Sequence, residues 1–153
     1  MDLQCVDGDG ELAGLNSDDV LRELAPGLEQ LGYAVEASRI EADRIRCPVL
    51  FGGNGRAEVS YDIDAFHDEL GIVVEVEAGR AASNNATYRD IIRASLILDA
   101  NYLVLLLPVA YRFNNRGQPA SVAAFTRGLD LLTALYASQR LPLPLHGVLL
   151  VGY

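Results

Sequence analysis

Lysine is absent from this 153-residue chain, and all twelve basic residues are arginine. Codon bias in a GC-rich genome is the simplest source, but the consequence is chemical: no mechanism here can use a lysine. Tryptophan is also absent, which weighs against a carboxylate-pair glycosidase, since such enzymes normally use tryptophan and a large cleft. The two cysteines, Cys5 and Cys47, form neither a metal-ligand spacing nor a disulfide framework, so a reducing, cytoplasmic setting is expected. No apolar run approaches a membrane span. The longest, Tyr102 to Tyr111, suits a buried strand and is broken by Pro108. Met1-Asp2-Leu3-Gln4 has no basic region and no apolar stretch, so no secretion signal is expected.

Acidic charge is abundant but unevenly placed. The net charge is −9, yet residues 44–153 hold ten arginines and ten acids. The excess lies in residues 1–43, with eleven acids against Arg22 and Arg39. A globally acidic protein binds polyanions poorly without specific contacts, so any nucleic-acid role must rest on a local basic surface. Half the residues are hydrophobic, enough for one folded domain with a real core.

Residues 1–16 are polar and glycine-rich and suggest a loose tail before a single domain over 17–153. Asp7-Gly8-Asp9-Gly10-Glu11 superficially resembles a calcium loop but lacks the ligand ladder and closing glutamate. Ser17 is a plausible N-cap, with Asp18 and Asp19 in the first turn. Val20, Leu21, Leu24, Leu28 and Leu31 then recur at helical spacing until Gly32, and Pro26-Gly27 implies a kink or a break. Strands are predicted at Tyr33–Glu36, Arg46–Phe51, Glu58–Phe66 and Ile72–Glu77, with Gly52-Gly53-Asn54-Gly55 as a turn rather than a phosphate loop. A helix built on Tyr88, Ile91, Ile92, Ser95, Leu96 and Leu98 leads to the strand at 102–107, which is apolar on both parities. Phe113–Pro119 is a loop, Ser121–Arg140 an amphipathic helix and Gly147–Tyr153 a final strand. The expected class is α/β, a mixed sheet flanked by helices.

The informative segment is Tyr61 to Glu77. Alternation puts Asp62 and Asp64 on one face of their strand and Glu75 and Glu77 on one face of the next. Three or four carboxylates so close together repel, and a divalent cation relieves that repulsion. The plainer reading is the solvated outer face of an edge hairpin. Two points favour the cation. The strand ending at Glu77 leads by a crossover helix into the apolar strand at 102–107, so the two should lie side by side under that helix. Glutamate is also depleted in strands, and this short one has two.

Ile63-Asp64, a turn, Val74-Glu75-Val76-Glu77, a loop and the helix starting Tyr88-Arg89-Asp90-Ile91-Ile92 together resemble the PD-(D/E)xK nuclease superfamily. They are most similar to type II restriction endonucleases of the BamHI and BglII sort, whose final motif lysine is replaced by another polar residue. The resemblance spans roughly residues 45–110 and implies a restriction endonuclease-like core. It matches Asp64 to the motif aspartate, Glu75 to the second acid and Glu77 to the lysine position; the preceding proline is Ile63 here. It implies that Asp64 and Glu75 ligate Mg2+ (or Mn2+), with Asp62 as an alternative or auxiliary ligand, and that Glu77 orients or deprotonates the attacking water. The extra glutamate that members draw from the first helix is best matched by Glu23, with Glu29 opposite the apolar stripe and Glu36 beyond the helix. Arg80, Asn84, Arg89 and Arg93 would meet a phosphate backbone, in a segment (80–116) that is locally +3. Solubility and ion pairs within the helix explain each arginine equally well, and Tyr88 suits helix packing. His67 and His146 have no nucleophilic partner at a readable spacing.

Two functions follow as expectations. The first is a metal-dependent DNA endonuclease, working as a homodimer because a lone small domain offers little surface for specific contact. The second is the same fold with a degraded site, acting through protein contacts.

Overall fold

A computed structural model of the chain describes residues 2–6, 15–38, 40–77 and 85–153, with backbone alone for 2–6 and 113–115. Helix α1 (Ser17–Gln30) starts one residue earlier in capping terms than the sequence suggests. Asn16, not Ser17, is the N-cap, and its side chain accepts from the Asp19 N–H at 3.0 Å. Pro26 lies inside the helix without dividing it; Val20 and Leu21 are buried, and Leu24 and Leu28 pack beside them. Gly32, at φ +93°, closes the end: its N–H reaches Glu29 O and that of Tyr33 reaches Leu28 O, each at 3.0 Å. That pair of bonds satisfies two carbonyls the helix leaves open.

Strands β2 (Ala34–Val35), β3 (Ile45–Phe51), β4 (Ala57–Ile63), β5 (Ala65–His67) and β6 (Ile72–Val76) follow. β3 and β4 form a separate two-stranded arm around the Gly52–Gly55 turn. At Asp64 the chain leaves that arm and enters the main sheet as β5, antiparallel to both β2 and β6. Helix α2 (Ala86–Leu96) then carries the chain to β7 (Tyr102–Leu107), parallel to β6 and beside it. After a hairpin, β8 (Tyr111–Asn115) and β9 (Gln118–Val122), helix α3 (Ala124–Ser138) leads to β10 (Gly147–Gly152), parallel to β7. The expected loop at 113–119 is this hairpin, and the third helix starts three residues later than expected, after β9 ends. Residues 2–6 are not part of a loose tail but form β1, parallel to β10 at the sheet edge. The calcium-like segment 7–11 lies outside the described residues.

The order β1-β10-β7-β6-β5-β2 gives a mixed α/β sheet between two helical layers. On one face Val73, Leu103, Leu105, Leu107, Val148 and Leu150 pack with Ile91 and Ala94 of α2 and Leu132 of α3. On the other, Ala65, Val74, Val76 and Leu106 pack with Val20 and Leu21 of α1. β6 is therefore interior and covered on both sides, which removes the solvated-edge reading of its acids. The face that α2 buries carries Ala86, Thr87, Asp90, Ile91 and Ala94. Tyr88, Ile92 and Leu96, expected to pack, are exposed instead; the small residues Ala86 and Ala94 let the helix lie close to the sheet. Among the described residues no helix is long and apolar enough to cross a membrane.

Candidate active site at the acidic junction

Asp64 sits where the chain changes sheets, and both its backbone and its side chain stitch that junction. Its C=O accepts from Glu36 N–H at 2.8 Å, beside β2. Its Oδ2 accepts from Val76 N–H at 2.6 Å, across on β6. Burial pushes the Asp64 carboxyl up to about 6, against the pull of the Val76 N–H; the charges of Glu36, Asp90 and Asp18 add to the rise.

The β5–β6 register pairs Ala65 with Val74 and Phe66 with Val73, so one further step sets Asp64 opposite Glu75. Glu75 shares the α2 side of the sheet with Val73 and is only 7% exposed. Its Oε1 has no hydrogen-bond partner among the described residues. Burial first, then the charges of Asp64, Asp90 and Glu77, hold its carboxyl well above the ordinary range; Arg93 offsets this in part. An ionised carboxylate in such a place is expensive without a cation or a proton.

Glu77, just past β6, is anchored through both backbone and side chain. Its N–H donates to Leu106 O at 3.0 Å, and its C=O accepts from the Tyr153 hydroxyl at 2.7 Å. Its Oε1 accepts from Arg89 Nη2 at 2.8 Å. Burial, a hydrogen bond shared with Asp90 and the Asp90 charge push Glu77 up to about 8, while Arg89 pulls it down. Asp90 is fully buried; its Oδ1 accepts from Arg89 Nε at 3.0 Å, and its Oδ2 has no donor. Arg89 thus bridges Glu77 and Asp90, and the second Asp90 oxygen remains a buried acceptor without a donor.

No family model, no curated protein and no solved structure matches this chain.

The site thus rests on its own geometry. Asp64, Glu75 and Glu77 come together as their strand positions suggest, and Asp90 joins them. Asp90 was missed, although an acid spaced four residues from both Ala86 and Ala94 on a small-residue face was a readable signal. Asp62, the reserve ligand, does not join them. It stays on the β3–β4 arm, where Arg44 Nη1 at 2.9 Å and Arg46 Nε at 3.1 Å bind its carboxylate. Against some desolvation, these two arginines hold Asp62 below its ordinary range. Strand alternation did not carry from 62 to 64 because the backbone switches sheets between them.

Glu23 is exposed on α1 and is not among the charges that act on Asp64; Glu36 and Asp18 are. They share with it a cleft of about 560 Å³, lined also by Leu21, Arg22 and Ser38. Glu29 lines that cleft as well. Of the proposed phosphate contacts, Arg80 and Asn84 lie outside the described residues. Arg93 stacks over the Tyr61 ring, with its Cζ 5.2 Å from the centroid, and Arg89 is bound into the acidic cluster.

Among the described residues no three histidine, cysteine, aspartate or glutamate side chains form a ready metal cage. Mg2+ does not require one. It commonly binds one or two protein carboxylates, keeps several waters and takes further oxygens from a substrate phosphate. Asp64 and the unpartnered Glu75 on adjoining strands suit that donor set.

Proposed function

We propose that the chain is a divalent-cation-dependent phosphodiester hydrolase acting on DNA. The observation that carries this reading is the buried, unpartnered Glu75 Oε1 beside Asp64. Charge balance supports it: Asp64, Glu75, Glu77 and Asp90 act on one another, with Glu36 and Asp18 adding negative charge at Asp64, against Arg89 and Arg93. Full ionisation of that set leaves an excess of negative charge, which one Mg2+ or Mn2+ would reduce. Asp64 and Glu75 would hold the ion, whose chemistry there would be to polarise the scissile phosphate and make water a better nucleophile.

The chain's own residues do the rest. Water oxygen bonds to phosphorus as the bond from phosphorus to the leaving ester oxygen breaks. Glu77 accepts the water's proton, and the leaving oxygen takes a proton from solvent. The raised Glu77 carboxyl (about 8) makes it a strong base once ionised. A homodimer, with one site for each strand, belongs to the same reading.

Cleavage of plasmid or oligonucleotide duplex with Mg2+ or Mn2+ tests it. Activity is expected in the wild type and loss in Asp64→Asn and Glu75→Gln, with both variants folded. Undiminished cleavage by Glu75→Gln would overturn the assignment. A second reading, a non-catalytic module working through protein contacts, is favoured by the chain's lack of any lysine to serve such a site. Calorimetry separates the two, because a degraded site binds no divalent ion at millimolar concentration.

A further inference from the structure

The phosphodiesterase reading leaves one role unfilled. Negative charge grows on the phosphate oxygens during hydrolysis, and a lysine beside the metal ligands would meet it. This chain has no lysine, and the position two residues after Glu75 is another acid. We propose that Arg89 is the catalytic cation of the site, contacting a non-bridging oxygen of the scissile phosphate, with Asp90 as the positioning residue that aims it and Glu77, the base, as its second hydrogen-bond partner.

The role rests on the phosphodiesterase reading and on four observations of its own. First, Arg89 is held at two guanidinium nitrogens, Nε to Asp90 Oδ1 at 3.0 Å and Nη2 to Glu77 Oε1 at 2.8 Å. Two such bonds fix the plane of the group, which a single ion pair does not. Second, one anchor is immobile: Asp90 is fully buried on α2. Burying a carboxylate in a helix face that otherwise carries Ala86, Thr87, Ile91 and Ala94 is costly, and positioning a cation is a reason to keep it.

Third, Arg89 itself is 56% exposed. Its guanidinium therefore stands at the boundary between the buried acids and the solvent from which a phosphodiester arrives. Fourth, among the described residues the other nearby arginines each have a further partner of their own. Arg93, one turn along α2, lies over Tyr61, and Arg44 and Arg46 hold Asp62. A guanidinium stays protonated at any working pH, so its contribution is electrostatic and it is not the base.

Steady-state cleavage of an oligonucleotide duplex with Mn2+, by Arg89→Ala and Arg89→Lys, tests the role. In Arg89→Ala, kcat should fall about 100-fold or more, with KM and calorimetric Mn2+ affinity within a few-fold of wild type. Added methylguanidinium should restore part of the Arg89→Ala rate and none of the Glu75→Gln rate. If Arg89→Ala does not fold, Arg89→Lys carries the test: it keeps the charge, loses the two-point grip and should lose about tenfold or more in kcat. Wild-type kcat in both variants would overturn the role of Arg89 and leave the phosphodiesterase reading standing. A loss confined to thermal stability or Mn2+ affinity would make Arg89 a structural counterion and overturn it equally. A wild-type chain that binds Mn2+ and cleaves no phosphodiester would overturn both.

Discussion

Glu75 and Asp64 bear opposite kinds of strain at the same junction. Glu75 has a buried oxygen, Oε1, with no hydrogen-bond partner among the described residues, and burial opposes its ionisation, so Glu75→Gln removes a burden from the cation-free protein. In EDTA its Tm is expected to exceed that of wild type by a few degrees, since about 1 kcal/mol corresponds to roughly 2–4 °C in a domain of this size. Differential scanning fluorimetry measures this, and a lower Tm would mean that Glu75 has a donor after all. Asp64 is the reverse case, because its carboxylate satisfies the Val76 N–H. Asp64→Ala leaves that donor unpaired and should cost about 1–3 kcal/mol in urea unfolding. Asp64→Asn keeps an acceptor oxygen and should lose much less. Equal losses in both variants would show that the charge, not the hydrogen bond, holds the junction. At this scale the sequence was legible wherever strand alternation held, as from Glu75 to Glu77. It misled from Asp62 to Asp64, where the backbone changes sheets and the Arg44 and Arg46 pairing became visible only in three dimensions. Asp18 is a similar case: a helix-start acid in sequence, it acts on Asp64 only because α1 begins beside the cleft.

The element that presents these acids is the β5–β6 hairpin, and its turn is pinned from outside. Gly71 takes φ +64°, and its carbonyl accepts from Asn101 and Tyr102 N–H at 2.7 and 3.0 Å. A methyl group at Gly71 would collide with the backbone oxygen of Asp99 and the Asn101 side chain. Gly71→Ala should therefore destabilise by roughly 2–4 kcal/mol, combining left-handed strain with overpacking against backbone. Urea unfolding that matches wild type would show that this turn does not set the register. Long periodic elements were readable without the structure: α1, β6, β7 and β10 fall within a residue or two of their expected limits. The buried face of α2 was not. Tyr88, Ile92 and Leu96 make the more hydrophobic stripe, yet the sheet takes the stripe of Ala86, Asp90 and Ala94. Hydrophobicity ranks faces by transfer free energy, whereas close approach to a sheet and an arginine–carboxylate network select for small residues and Asp90. β1 was unreadable for another reason: it adjoins the polar, glycine-rich segment 7–11, and its pairing with β10 spans the whole chain.

For the whole molecule, the clustered acids link folding to protons and to cations. The unfolded Asp64 and Glu77 carboxyls titrate near 3.8 and 4.5, whereas in the fold they rise to about 6 and about 8. Below about pH 4 both states keep most of their protons at these groups, and the site is neutral. Above it the unfolded chain releases protons that the folded chain still holds, so stability falls as pH rises, until the folded groups ionise near 6 and 8. In EDTA, Tm is expected to decline from pH 5 to pH 8. The net charge of −9 acts in the same direction through general self-repulsion, so the decline alone does not locate the cause. A cation does. Mn2+ that binds the ionised site and not the unfolded chain stabilises by about 2.7 kcal/mol at a hundredfold excess over Kd. In a domain of this size that corresponds to roughly 5–10 °C. The gain should be largest at pH 8, where protons compete least, and should flatten or reverse the slope seen in EDTA. Glu75→Gln should show no such gain while keeping the self-repulsion component of the slope. Equal Mn2+ effects in wild type and Glu75→Gln would assign the stabilisation to general screening of an acidic surface and remove the junction of Asp64 and Glu75 as a cation site.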